Sequence, residues 1–356
     1  MSSEPNVENS GVKPTPVSAK HIQRLKLLGF ILTLGGVGLF CYFVWSVGFG
    51  EILSNIEKFG FAGFFMILLI YFFRICLRAA AWKLSVYDPY SLSLRDTIPA
   101  VVIGEAMSSM IPLGILVSGT AKAVSVRKHV PLVVGLSSVA TENLFYSFTT
   151  SVFLMLGALT FIRNFQLDEG WRLSIDILIG ILVFLLIAGV VMVIKQWHFA
   201  SETCEILYRS GIARGLLEHG RSEVRLFENL IYGFYRRHPE RFLPICAIES
   251  AFHVLGIAEV LFILSRMTEA ASLLNAFLLE TVSRLITIVF KLVPFLVGVD
   301  EAGSQFVAET VAAGAVVGVT LAIIRKGRIL FWTAVGLTLI VKRGLSIREI
   351  GQRPVA

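Results

Sequence analysis

The stretch Glu280–Arg325, ETVSRLITIVFKLVPFLVGVDEAGSQFVAETVAAGAVVGVTLAIIR, constrains this chain more than any other. It is apolar enough to enter a bilayer. Yet it carries Glu280, Arg284, Lys291, Asp300, Glu301 and Glu309, and its middle is broken by Pro294 and Gly298. An ionisable side chain at bilayer depth costs roughly 2.5–3.5 kcal/mol on insertion scales, so such groups face one another or a protein-lined cavity. A broken helix at that depth needs neighbouring protein or water to satisfy the backbone groups it frees. Charge and breakage in one apolar stretch therefore predict a polar site inside a membrane-embedded helical bundle.

Composition agrees with a bilayer as solvent. The 356 residues are 55% hydrophobic and 16% charged, with a mean hydropathy of +0.76, whereas soluble domains carry about 25% charged residues. Several apolar runs reach the ~20 residues that a spanning helix needs. The net charge of +7 is then first a topology signal, because Lys and Arg gather in cytoplasmic loops. No compact basic domain interleaved with aromatics is present to hold nucleic acid. Cys41, Cys76, Cys204 and Cys246 are far apart and form no CxxC pair, so they are read as packing residues. No cofactor is expected.

Residues 1–26 read as a disordered cytoplasmic tail closed by Lys20, Arg24 and Lys26, and the run Leu27–Val47 as a retained first helix rather than a signal peptide. A second run, Gly60–Trp82, ends with Arg74, Arg78 and Lys83; Arg74 and Arg78, four apart, are read as anchors snorkelling to the cytoplasmic face or as headgroup contacts. Thr97–Ser118 holds Glu105, Pro112 and Gly114, and the basic residues Lys122, Arg127, Lys128 and His129 follow it. Charge asymmetry favours a re-entrant segment that keeps this cluster inside. Pro131–Phe161 is a long helix with Ser138, Glu142 and Tyr146 on one stripe, and Ile175–Ile194 returns. Residues 195–242 are amphipathic helices on the inner membrane face. Phe242–Ser265 spans outward with Glu249, His253 and Glu259; Glu249 and His253 form a buried hydrogen-bonded pair rather than a metal site, since no third ligand is evident. Glu301, Gln305 and Glu309 line a stripe, and Ile329–Val341 reads as a separate short span or interfacial segment. Residues 27–345 form the membrane domain and 346–356 a C-terminal tail.

Two regions look alike. Ser93-Leu94, a helix, Pro112-Leu-Gly and Val133-Val-Gly-Leu-Ser recur as Ser272-Leu273, a helix, Pro294-Phe-Leu-Val-Gly and Val316-Val-Gly-Val-Thr. Each unit is a span, a broken segment and a span. The predicted fold is thus all-α: a polytopic integral membrane helical bundle with two re-entrant or broken segments in an inverted repeat, the arrangement by which many transporters build a midplane site. Its structural breaks are Pro112, Gly114, Pro294, Gly298 and Gly303.

The pattern Arg78…Trp82, Gly104-Glu105…Pro112-Leu-Gly, Glu249…Glu259, Glu280…Arg284, Pro294…Gly298-Val-Asp-Glu301-Ala-Gly303 and Ile324-Arg325-Lys-Gly-Arg328 resembles the lysylphosphatidylglycerol synthase transmembrane-region family, often called flippase-like. The C-terminal half is most similar to members associated with hopanoid biosynthesis. Asp300-Glu301-Ala302-Gly303 stands where many members have Gln-Glu-Gly-Gly, and Lys326 where a second Arg is common. The resemblance implies translocation of a polar-headed lipid between leaflets, without the aminoacyl-transferase domain of two-domain members and hence without enzymatic activity.

A lipid translocator needs a hydrophilic path for the headgroup while the tails stay in lipid. Arg284 and Lys291 are candidates to hold a phosphate, and Glu105, Glu280, Glu301 and Glu309 to neutralise a cationic headgroup or carry protons. With Arg78, Glu142, Glu249 and Arg325 they make up the candidate substrate-binding set. The sign of the substrate stays open. The alternatives are an ion- or proton-coupled solute transporter, for which the same carboxylates serve, and a lipid-modifying enzyme, for which no nucleophile elbow, zinc-protease helix or phosphate loop is found. The expected partners are membrane lipids and no nucleic acid. Gly314 and Gly318 offer either a homo-oligomer face or intramolecular packing. A bacterial-type inner membrane with a cytoplasmic N-terminus is the expected location.

Overall fold

A computed structural model describes residues 34–110, 114–165, 169–196, 198–210, 214–290 and 293–343. The tail assignments, Leu27–Thr33, Pro112 and Lys291 lie outside the described residues. Every regular element among those described is helical: α1 Leu34–Val47, α2 Phe49–Leu84, α3 Leu94–Met110, α4 Gly114–Ser125, α5 Leu132–Asn164, α6 Glu169–Lys195, α7 Phe199–Arg209, α8 Arg214–Arg237, α9 Phe242–Met267, α10 Leu273–Val289, α11 Val299–Thr310 and α12 Ala315–Lys342. Four stretches are long and apolar enough to cross a bilayer, Phe49–Leu84, Leu132–Asn164, Arg172–Val191 and Pro239–Met267. The fold is an all-α membrane bundle.

The repeat is visible in the element lengths. The first unit has helices of 17, 12 and 33 residues and the second of 17, 12 and 28. In each, two short helices fold back on one another across a break and a long helix follows. Direction can be read from contacts with α2. Along α2, Trp82 and Arg78 meet Ser138 and Glu142 of α5, so these helices are antiparallel. Phe64 and Phe72 meet Gly327 and Trp332 of α12, so those are parallel. The long helices of the two units therefore run in opposite directions, as an inverted repeat requires. The first helix of each unit packs on the long helix of the other, α3 at Gly336 and α10 at Gly157.

The second break is built from local chemistry. Ser272 caps α10 by accepting from Asn275 N at 3.1 Å. After α10, Pro294–Leu296 forms a short 3-10 turn, and Gly298 adopts φ +84, a conformation that favours glycine. Gly298 N donates to the Glu301 carboxylate at 2.8 Å, so the third residue of α11 satisfies a backbone donor at its start. Gly298 also faces the Gly36 carbonyl, which brings α1 against the turn.

Two expectations need correction. Gly303 is not a break: it sits inside α11, where its missing side chain admits Ile286 of α10. Ile329–Val341 is no separate segment, because α12 is one helix from Ala315 to Lys342; Arg325 and Arg328 interrupt its hydropathy but are buried within the bundle. Gly114 opens α4, just past the end of α3 at Met110. A Cβ on Gly318 would strike the Ser304 carbonyl of α11, so of the two readings of this glycine the packing within the chain is the one the contacts support. Helices α7 and α8 pack on one another.

Candidate functional site

Charged side chains from α2, α9, α10 and α12 meet away from the ends of those helices. Glu280 of α10 is fully buried and accepts from three arginines: Arg74 Nη2 at 3.1 Å, Arg284 Nε at 2.8 Å and Arg325 Nη2 at 2.7 Å. Glu259 of α9, also fully buried, accepts from Arg74 Nη1 at 3.0 Å and from Arg328 Nη1. Arg74 thus bridges the two carboxylates. Its guanidinium lies 4.3 Å from the Phe252 ring centroid, and that of Arg328 lies 4.1 Å from Tyr71. Aromatic faces supply part of the solvation that water would otherwise give a cation.

A second cluster lies along α2 and α9 from the first. Arg78 Nε donates to Glu142 Oε1 at 2.6 Å and stands 3.7 Å from Glu249 Oε1. Lys122 Nζ is 3.6 Å from Glu142 Oε2, and the Tyr146 ring lies 4.1 Å from the Arg78 guanidinium. The two clusters share a scaffold: α2 supplies Arg74 and Arg78, one turn apart, while α9 supplies Glu259 and Glu249. Near the second break, Lys326 Nζ meets Glu301 Oε1 at 2.6 Å, and Ser283 Oγ donates to Asp300 at 3.2 Å. Tyr71 OH donates to Glu105 at 2.9 Å.

Close approach at the centre depends on Gly256. A Cβ there would lie 2.8 Å from Glu280 Cδ and 3.0 Å from Arg74 Nη2. Beside this region, α5, α6, α10 and α11 line a half-open apolar cavity of about 200 Å³, with Leu154, Gly157, Phe161, Thr281, Leu285 and Phe306 among its walls.

The model of the family described as Lysylphosphatidylglycerol synthase TM region matches residues 26–336. The chain belongs to this family. No curated protein and no solved structure matches it. Membership in a lipid-associated membrane family and the apolar spans together make it a multi-pass membrane protein.

Of the family-motif residues, the structure gathers Glu259, Glu280, Arg284, Arg325 and Arg328 in one cluster and Arg78 and Glu249 in the other, where Glu142 joins them. Glu105 and Glu301 sit at the edges. Glu309 stands apart, exposed and bonded to Gln305 Nε2 at 3.0 Å. Each four-residue step on an α-helix rotates about 40° beyond a full turn, so the stripe Glu301-Gln305-Glu309 drifts from the interior to the surface. Arg74 is not a snorkelling anchor. Helix α2 continues to Leu84, leaving Arg74 about 15 Å from its end at 1.5 Å per residue, and its side chain is wholly buried. Lys122 is likewise buried on Glu142 rather than part of the exposed basic group Arg127–His129. His253 does not bond Glu249; its Nε2 pairs with Thr150 Oγ1 at 3.1 Å and its ring stacks on Phe153.

Sequence reasoning therefore missed Arg74, Lys122, Gly256, Glu259 and Arg328 as parts of the site. For Arg74 the signal was present: an arginine in a run that continues as Ala79-Ala-Ala-Trp82 is not at a helix end. For Gly256 there was none.

Proposed function

We propose that this protein translocates a polar-headed lipid between the leaflets of a bilayer. The observation that carries the reading is the buried ion network joining α2, α9, α10 and α12 away from their ends, set between two oppositely directed hairpin-and-helix units. Such a network offers a headgroup a hydrophilic path, because its guanidinium and carboxylate groups can exchange partners among themselves and with the headgroup. The apolar cavity beside α10 offers a place for acyl chains. Family membership supports a role in lipid handling. In this reading the protein has no enzymatic activity, lies in a bacterial-type cytoplasmic membrane, and keeps its N-terminus on the cytoplasmic side, as the basic residues of the sequence favour.

The test is reconstitution into vesicles bearing fluorescent phospholipid, with dithionite accessibility followed over time. Accelerated loss of protected label, abolished by Glu280→Gln, supports the reading. Rates equal to protein-free vesicles across anionic, zwitterionic and isoprenoid lipids refute it.

A further inference from the structure

We infer that the central cluster is an oxyanion site, formed by Arg284 and Arg325 around Glu280, and that it takes a phosphate group. The inference rests on the translocation reading for its biological sense, but its evidence is the imbalance of donors and acceptors. Four guanidiniums, Arg74, Arg284, Arg325 and Arg328, meet two carboxylates, Glu259 and Glu280. Each guanidinium presents five N–H donors and no acceptor. All four carboxylate oxygens are already engaged, Glu280 Oε1 by two arginines at once.

Donors are left over. Arg74 Nε, Arg325 Nη1 and Arg328 Nε are buried without a hydrogen-bond partner among the described residues. Burying such groups unpaired is costly. Arg284 differs from the other three. It is bound to Glu280 through Nε, which leaves its two terminal nitrogens with no acceptor among the described residues, and its side chain is 12% exposed. Arg284 and Arg325 donate to the two oxygens of one carboxylate, Glu280 Oε1 and Oε2, so the open fork of Arg284 and the unpaired Nη1 of Arg325 are carried by guanidiniums held at the same group. Arg325 is 5% exposed, which leaves Arg284 as the more accessible of the two.

The other carboxylates near the network do not take these donors. Asp300 takes the Ser283 hydroxyl, Glu301 holds Gly298 N and Lys326, Glu105 holds the Tyr71 hydroxyl, and Glu142 and Glu249 lie with Arg78 and Lys122. They balance the charge of the bundle as a whole, so the pull on an anion is local and geometric. A planar fork with free parallel donors fits a phosphate or carboxylate bidentately, and arginine is the residue used where that recognition matters. A phosphodiester in a lipid headgroup and free phosphate share this chemistry.

The test is binding to the purified full chain in detergent, read as adducts by native mass spectrometry for the wild type, Arg284→Gln and Arg284→Lys. The probes are phosphatidylglycerol, diacylglycerol with the same chains, and inorganic phosphate as competitor. In the wild type, phosphatidylglycerol is expected to bind about tenfold or more tightly than diacylglycerol, and Arg284→Gln to weaken it roughly ten- to a hundredfold, the range for a lost charge-assisted hydrogen bond. Diacylglycerol binding stays the same. Arg284→Lys, which keeps the charge but loses the fork, falls between. Competition by millimolar inorganic phosphate assigns the site to free phosphate, and failure to compete assigns it to the lipid headgroup; either supports an oxyanion site. Equal wild-type binding of phosphatidylglycerol and diacylglycerol overturns it, and so does undiminished phosphatidylglycerol binding by a folded Arg284→Gln. Transport on the same preparations separates the two readings. Lipid movement without phosphate discrimination sinks the oxyanion site alone, and discrimination without movement sinks translocation alone.

Discussion

Neutralising Glu280 is the sharpest test of the network. Glu280→Gln keeps the shape of the side chain and one carbonyl acceptor, but it removes the charge shared by Arg74, Arg284 and Arg325, two of them buried. Breaking a buried ion pair by removing one partner costs about 3–5 kcal/mol, because the remaining charge is left uncompensated. An unfolding entropy of roughly 2.1 cal/mol/K per residue gives about 0.75 kcal/mol/K for a chain of this length, so the melting temperature should fall by about 4–7 °C. The assay is thermal unfolding in detergent, followed by tryptophan fluorescence; of the five tryptophans, Trp82 and Trp332 lie close to the network. Glu309→Gln, at an exposed carboxylate, is the control and should shift the midpoint by less than about 1 °C, as surface substitutions do. Combining Glu280→Gln with Arg284→Gln should cost less than the sum of the single changes, since the second removes one orphaned cation. If Glu280→Gln melts with the wild type, or the two changes add, Glu280 does not hold these arginines together and the central cluster is misread.

Three further outcomes follow from particular contacts. Gly256→Ala should destabilise by about 1–3 kcal/mol, the usual overpacking cost, and lower lipid transport, because its methyl would press on Glu280 and Arg74; a silent substitution in both assays contradicts the close approach of α9 and α10. Glu301→Ala removes both the partner of Lys326 and the acceptor for Gly298 N, and a lost cap alone costs about 0.5–2 kcal/mol; increased protease cleavage near residues 290–298 in limited digestion is the expected sign. Asp96, in the first turn of α3, is held below the usual carboxylate range chiefly by the Ser93 hydroxyl. A depressed folded-state value stabilises above the unfolded carboxylate's titration and is lost as pH falls through the folded one. Asp96→Asn should therefore lower the melting temperature at pH 7 and make no difference at strongly acid pH, and an equal deficit at both would disprove the linkage.

Much of the architecture could be read from period and composition, because each long helix announces itself by an apolar run. The repeat was legible from Pro112-Leu-Gly and Pro294-Phe-Leu-Val-Gly, although only the contacts of α2 with α5 and α12 show that the units are inverted. What failed was the reading of charge. Arg325 and Arg328 made α12 look like two segments, and Arg74 looked like a surface anchor, for one reason: a hydropathy run ends wherever a cation appears, whether or not its partner lies on another helix. Glu259 and Glu280 were those partners. The cross-helix pairing is a tertiary fact, and its sequence trace is only that buried cations and carboxylates occur in comparable numbers in apolar stretches.

Stability alone does not account for such a network. Replacing a buried ion cluster by apolar residues of similar volume is often neutral or stabilising by about 1–4 kcal/mol, because desolvation offsets the attraction between the charges. Arg74, Glu259, Glu280, Arg284, Arg325 and Arg328 could be exchanged together for Met and Leu in the same volume, with no orphaned charge left in the cluster. If the charges serve headgroup passage, that sixfold variant should melt at or above the wild-type temperature while its vesicles lose lipid movement entirely. If the charges serve only to hold α2, α9, α10 and α12 in register, the variant should lose its defined melting transition, and transport should return in any second-site revertant that restores packing without restoring charge. The two outcomes are opposite in both readouts. A stable, inactive apolar variant places the network on the side of function, and a disordered one places it on the side of assembly.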